Sequence, residues 1–396
     1  MPNIPTARLA KRHPVAWRLR KAVFAAACAL AAANLQAVEP GEPSSSAPRF
    51  SIRGFGTVGA AHSSIDRADF VGNTRQRRGA GFSDDWAFGV DSKLGVQFDA
   101  KLTERLTGVL QVVSQQLPNG KYTPQVEWAN LKYQLRSDLS VRIGRILLAP
   151  FLVADSRLIG YGYPWIRPPI ETYNLAQITK SDGINMSWRA RLGSATNTIQ
   201  ASYGQQDEDF VFAAPSLAII VSPQVRQLVG ITDTVESGPW LGRATFFTGN
   251  ISLGNSEGRV KFYSLGAAYD SGSWFIQGEW SLLDSAMRLQ GATTQRRIGF
   301  YLSAGYRWRE FTPYFTYSET APEGSQTAPN VLTVDQKTYS AGMRWDLARN
   351  TAAKLQFDRI KLGTQRGNIG YFTNVQRGFP FAGSGNVASV AVDFVF

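Results

Sequence analysis

Cysteine is almost missing from this chain. The only one, Cys28, falls inside the first 37 residues. Those residues read as a removable leader, so the remainder carries no thiol. That excludes disulfides, Cys-ligated metal sites and a Cys nucleophile, and it suits an oxidising compartment. Ala25-Ala26-Ala27 also lacks the Leu expected three residues before a lipidated cysteine. Histidine is nearly as scarce, with two in all, and only His62 lies beyond the leader. No Ser motif or carboxylate pair accompanies it, which leaves Ser/His or Asp/His chemistry little to build on, so the chain is not expected to be an enzyme. Methionine is rare (4), and runs of helical 3.6-residue period are almost absent after residue 40. With a mean hydropathy of -0.18, no segment after the leader is apolar enough for a membrane-spanning helix.

What is present begins with export. Residues 1–37 hold Arg8, Lys11, Arg12, Arg18, Arg20 and Lys21, then an apolar stretch from Ala22 to Ala33, then Leu35-Gln36-Ala37 as a cleavage site. This is the layout of a secretory signal peptide, and its apolar run is too short to cross a bilayer. The leader contains six of the 42 basic residues and no acidic ones, so the mature chain has 36 basic against 30 acidic residues, about +6 rather than +12. No basic stripe interleaved with aromatics remains, which removes nucleic acid as a partner. Residues 38–49, VEPGEPSSSAPR, form a Pro/Ser-rich flexible segment.

From Phe50 onward the period is two, as in strands with one lipid face and one aqueous face. In the last seven residues Val390, Val392, Phe394 and Phe396 share one face, and Ala391 and Asp393 the other. Sixteen such segments are predicted, from 50–62 and 86–101 to 387–396, with the alternation most blurred over 226–252. Connections after even-numbered strands are short, such as Ser137-Asp138 and Ser271-Gly272, and those after odd-numbered strands are mostly long. A chain that crosses a bilayer without helices must close its sheet, because no backbone polar group in lipid is left unpaired. The predicted fold is therefore all-β: a transmembrane antiparallel barrel over 50–396, with short periplasmic turns and long extracellular loops. Aromatics near strand ends (Trp86, Trp128, Tyr133, Trp188, Trp274, Trp280, Trp308, Trp345, Tyr371) are expected to form interfacial girdles. A soluble β-sandwich or solenoid is the competing all-β reading, and the inner face of a sandwich would be richer in Val, Ile and Leu.

The terminal strand ASVAVDFVF, the opening strand FSIRGFGTVGA and the pair QVEWANLKYQL…LSVRIGR resemble those of Gram-negative outer-membrane porins and porin-like barrels. The resemblance implies that Phe396 is read by the barrel-assembly machinery, that the chain resides in the outer membrane among its lipids, and that it forms a homotrimer. It also implies that the long third loop, 149–181, folds into the lumen as a constriction. That loop carries Asp155, Arg157, Arg167 and Glu171, but has YGYPWIRPP (Tyr161–Pro169) in place of the acidic PEFGG-like signature of general porins. This departure leaves room for a more dedicated channel.

A diffusion channel needs a water-filled lumen and charges that set the field across it. Alternation places Arg53, Asp91, Lys93, Lys132, Arg142 and Arg344 on the inner wall. Arg53, Lys93, Lys132 and Arg142 are expected to form a basic ladder opposite Asp155 and Glu171. The expected function is passive diffusion of small hydrophilic solutes and ions with weak selectivity and no cofactor or metal. A substrate-specific channel and a structural or adhesion barrel are the alternatives. Gly54, Gly56, Gly59, Gly89 and Gly95 offer a smooth surface for barrel-to-barrel packing, or serve only to bend the wall.

Overall fold

A computed structural model describes residues 49–396 except 177, 215–216, 287–294, 324–333 and 366. The leader 1–37 and nearly all of the 38–49 segment lie outside the described residues. Sixteen long strands run in sequence: β1 Phe50–Ser63, β2 Lys93–Lys101, β3 Leu106–Gln115, β4 Gln125–Arg136, β5 Leu139–Leu147, β6 Lys180–Leu192, β7 Ala195–Asp207 and β8 Gln224–Ser237. They continue as β9 Trp240–Leu253, β10 Ser256–Asp270, β11 Trp274–Ser285, β12 Gln295–Tyr306, β13 Phe311–Pro322, β14 Gln336–Ala348, β15 Thr351–Leu362 and β16 Ser384–Val395. Each pairs antiparallel with its neighbour, and β1 closes the barrel on β16 from Phe55↔Val395 to Ser63↔Val387. Among the described residues no helix is long and apolar enough to cross a membrane.

Period two decides which side chain faces which solvent. On β15 Leu355 and Phe357 are exposed on the outer surface, while Lys354, Gln356 and Asp358 are buried inside. Trp240, Tyr269 and Trp274 pack against one another at the short-turn end, edge-on and tilted, as an interfacial girdle requires. Two of the expected girdle aromatics lie elsewhere. Tyr371 is buried in a long loop, and Trp128 lies beside loop residues in the lumen, on the same strand face as inward Lys132.

Three features depart from the period-two reading. The predicted strand 86–101 is interrupted, with pairing at Trp86–Ala87 and again from Lys93. Between His62↔Trp86 and Thr57↔Lys93 the partner segment is two residues longer than β1. The excursion is held by Ser92, whose hydroxyl accepts from the Gly59 N–H at 3.0 Å in place of a ladder bond. It frees Asp91 to turn inward. The connection between β9 and β10 is a tight Gly254-Asn255 turn rather than a long loop, with Gly254 at φ +57°. Finally, the strand glycines do not form a smooth docking face. Phe396 and Phe394 lay their rings over Gly54 and Gly56 on the outer surface, and Phe55 covers Gly95. A Cβ at any of these three positions would overlap the ring.

The inside of the barrel is packed as well. Loop residues Ile65, Phe70 and Val90 (first loop) and Ile369, Tyr371, Phe372, Val375 and Phe379 (eighth loop) form one apolar cluster with wall residues Ile360 and Val387. A small three-stranded sheet, Ala80–Gly81 with Asp69–Phe70 and Phe372–Thr373, ties these two loops together at the long-loop end.

Candidate functional site: the lumen and its third loop

The segment between β5 and β6 contains two short 3-10 turns, Ala154–Ser156 and Gly160–Gly162, and one helical turn, Ile170–Tyr173. So little regular structure leaves many carbonyls without partners, and buried carbonyls need donors. The barrel wall supplies them. Lys354 donates to the carbonyls of Gly160, Tyr163 and Trp165 at 2.6, 2.7 and 2.7 Å, with Asp393 Oδ2 2.8 Å from its ammonium. Arg344 donates to the Tyr161 and Tyr163 carbonyls at 2.6 and 3.3 Å. Arg243 donates to those of Phe151 and Leu152 at 2.7 and 3.2 Å, and Thr245 to that of Ala149 at 3.2 Å. The loop is therefore clamped across the lumen by inward side chains of β9, β14 and β15.

Aromatic packing fixes the same segment. Tyr163 and Trp165 are buried with Phe275, Tyr301 and Tyr314, and Trp165 Nε1 lies 3.0 Å from both Ser303 Oγ and Thr316 Oγ1. The aromatic YGYPWIRPP stretch is thus an anchor against β11–β13. Its Tyr163 and Trp165 rings present no stacking platform to a passing solute.

Arg167 is the ionic centre of the anchor. Its Nε and Nη2 donate to the two oxygens of Asp91 at 2.8 and 2.6 Å, Nη1 donates to Asp358 at 3.1 Å, and Nη2 also reaches Ser389 Oγ at 2.7 Å. All three charged side chains are nearly closed off from solvent, at 7, 2 and 4 % exposure. Glu171 is also fully buried. It accepts from Ser318 at 2.7 Å, from Gln336 at 2.6 Å and from the Thr338 hydroxyl, with no cation in contact among the described residues. Burial pushes its carboxyl above the usual glutamate value, against the pull of those donors.

The expected ladder is accordingly redistributed. Glu171 lies against β13 and β14 and opposes no ladder residue. Arg53 is bound to Asp99 at 2.7 Å. Lys93 lies opposite Thr57, in the field of Asp393 and Asp91. Arg157 is turned toward the start of β6. It donates to Thr179 at 2.7 Å, near a buried network in which Lys180 bridges Glu127 and Glu208 and Arg75 pairs with Glu208. Of the ten candidates, Asp91 and Arg167 are brought together, and Arg344 serves the loop.

The remaining three, Lys132, Arg142 and Asp155, mark the uncovered side of the lumen. Lys132 and Arg142 are direct cross-strand partners on β4 and β5. The charges acting on Lys132 are Arg142 and Arg189, and the charge acting on Arg142 is Asp155. Asp155 is 64 % exposed and contacts Arg243 at 3.2 Å. Among the described residues no carboxylate lies within 4 Å of Lys132, Arg142 or Arg189. Sequence reasoning missed Arg189, although its place beside outward Trp188 makes it inward by alternation. It also missed Arg243, which falls in the blurred 226–252 region. Beside this side of the lumen, Leu158 and Ile159 pack near Gln111 and Trp128 around a cavity of only about 10 Å³. The one described histidine, His62, stacks on Trp86, and its Nδ1 lies 2.8 Å from the Asp85 carbonyl.

No protein-family model and no curated protein matches the sequence. Solved structures do match over nearly the whole barrel. An anion-selective porin from Comamonas acidovorans shares 12 % identity at a TM-score of 0.58, over 88 % of this chain and all of that one. The outer membrane channel DcaP of Acinetobacter baumannii shares 11 % at 0.57, over 88 % and 97 %. In-vitro folded OmpT of Vibrio cholerae, an outer membrane protein described in its trimer form, shares 10 % at 0.54, over 88 % and 100 %. At these identities the likeness is one of fold: a closed sixteen-stranded barrel of the outer-membrane porin type.

Proposed function

We propose that this protein is an outer-membrane channel through which small hydrophilic solutes and ions diffuse passively, with a preference for anions set at Lys132, Arg142 and Arg189. The observation that carries this reading is the division of the lumen. One side is filled by a loop clamped to the wall, and the other presents three unpaired cations and one exposed carboxylate. Sixteen strands enclose enough space for an aqueous path beside such a loop. The similar barrels from Comamonas and Acinetobacter, described as a porin and a channel, support the reading. A substrate-specific channel is less favoured: in the YGYPWIRPP segment that suggested it, Tyr163 and Trp165 are buried in the anchor and Tyr161 lies under the Arg344 guanidinium. No catalytic residue and no cofactor enters the proposal.

Trimer formation belongs to the same proposal. Its support is the trimer form of the similar OmpT barrel and an outer groove of about 540 Å³ over β1–β5, lined by Phe50, Ile52, Phe98, Leu110, Leu131 and Ile143. Phe396 is proposed as the assembly signal. The decisive test is current through planar bilayers after refolding. Stepwise openings with a reversal potential favouring chloride over potassium are expected, and a barrel that inserts without stepwise current would sink the channel reading.

A further inference from the structure

The outer wall carries a charge pattern that solute diffusion leaves unexplained. Along the outward face of β15, exposed Leu355 and Phe357 are followed by exposed Arg359 and Lys361. The adjacent strand changes character at the same height, where β14 passes from Met343 to Tyr339 and then Lys337. All three cations lie at the long-loop end, where hydrocarbon gives way to headgroups and tyrosine marks the boundary.

The cations are poorly neutralised by the protein itself. Lys337 and Lys361 are direct cross-strand partners, and like charges directly opposed on one face are destabilising. Two carboxylates lie on the Lys337 side: Glu319, 3.6 Å away and shared with the Tyr317 hydroxyl, and Asp335, beside Gly363. Lys361 lies 5.3 Å over the Tyr339 ring. Arg359 is aimed by neutral groups, donating to Asn386 at 2.9 Å and Ser384 at 2.6 Å. Neither Arg359 nor Lys361 has a carboxylate within 4 Å among the described residues. Inside the barrel the comparable pair, Arg344 and Lys354, is also directly opposed, and there loop carbonyls and Asp393 relieve it. Outside, among the described residues, no carboxylate plays that part for Arg359 and Lys361.

We propose that Lys337, Arg359 and Lys361 bind the phosphate of an outer-leaflet lipid headgroup, whose acyl chains run down over Phe357 and Leu355. A phosphate supplies the acceptor oxygens that relieve the lysine pair, and it suits the fork of a guanidinium already held in place. The proposal rests on the outer-membrane reading above. Its test uses the whole barrel in detergent micelles containing either bisphosphorylated lipid A or the same lipid stripped of its phosphates, with bound lipid counted by native mass spectrometry. Selective retention of the phosphorylated form is expected. Near a charged membrane surface each cation contributes about fivefold in affinity, so the Lys337→Gln, Arg359→Gln, Lys361→Gln variant should lose about a hundredfold. Lys361→Gln alone, at an exposed side chain, should lose about fivefold and serves if the triple variant does not fold. Equal retention of both lipids, or unchanged retention by the variants, overturns the site. Displacement by millimolar inorganic phosphate reassigns it to free phosphate and overturns the lipid. Bilayer conductance of the same samples is expected to be unchanged, so loss of the channel reading and loss of this one are told apart.

Discussion

Replacing Arg167 by Met tests whether the third loop is held by its ionic anchor. The exchange keeps an unbranched, apolar stem but strands Asp91 and Asp358, whose side chains are only 2 and 4 % exposed. Removing one partner of a buried ion pair costs about 3–5 kcal/mol, because the remaining charge has neither water nor a counter-ion. Here two carboxylates are stranded, and they face each other across the vacated guanidinium. At about 1.4 kcal/mol per factor of ten, the docked state of the loop should weaken by about two to three and a half orders of magnitude relative to the undocked one. The sixteen-strand ladder does not pass through Arg167, so the barrel should still form. Single-channel recording should then show larger conductance and more open-channel noise, and trypsin should cut at Arg157, which the intact loop protects. The companion variant Arg167→Met, Asp91→Asn, Asp358→Asn leaves no charge stranded and should recover most of the quiet behaviour. Wild-type conductance, noise and protease resistance in Arg167→Met would refute the anchoring argument, as would a triple variant no better than the single one.

Charge reversal at the uncovered wall, Arg142→Glu, should shift the reversal potential in a salt gradient toward cations by severalfold in permeability ratio, since a unit charge at 4 Å in water is worth about 1 kcal/mol. Arg53→Glu, at a residue already committed to Asp99, should shift it much less. The raised Glu171 carboxyl makes docking of the helical turn Ile170–Tyr173 pH-dependent. The protonated form is the one burial favours, so that stabilisation is complete below the ordinary glutamate value and is lost as pH rises through the raised one; Glu171→Gln should abolish the resulting increase of current noise with pH. Gly95→Ala forces a Cβ into the buried Phe55 ring between β1 and β2. Overpacking of this kind costs about 1–3 kcal/mol, and it should lower the temperature at which the folded band is lost on unheated gels.

The strands were legible because their signal is local. Alternation needs only the residues of one segment, and turn residues such as Gly193, Gly238 and Gly272 punctuate it, so fifteen of the sixteen segments lie where period two puts them. The exception, 86–101, fails for a reason alternation cannot carry: two additional residues opposite β1 are accommodated by a single hydroxyl, Ser92. The site was less legible, because its contacts are remote in sequence. Arg167 lies 76 residues from Asp91 and 191 from Asp358, and nothing near any of the three announces the others. The aromatic loop segment was visible, but its role depends on Tyr301 and Tyr314, which only the closed barrel brings beside it.

A period-two reading finds which charges point inward and treats them as equivalent, yet a lumen charge acts on a solute only if the protein has not already neutralised it. Arg344, Lys354 and Arg243 face the lumen as surely as Arg142 does, but loop carbonyls and carboxylates surround them. Asp91, Asp358 and Asp393 are likewise matched by Arg167 and Lys354. The mixed inner wall that suggested weak selectivity therefore contains two populations. Paired charges hold the loop, and along the side it leaves uncovered the charges left after pairing are cationic at Lys132, Arg142 and Arg189. The same subtraction applied to the outer face of β14 and β15 leaves Arg359 and Lys361. In both places the unpaired charge, rather than the total, points to the partner.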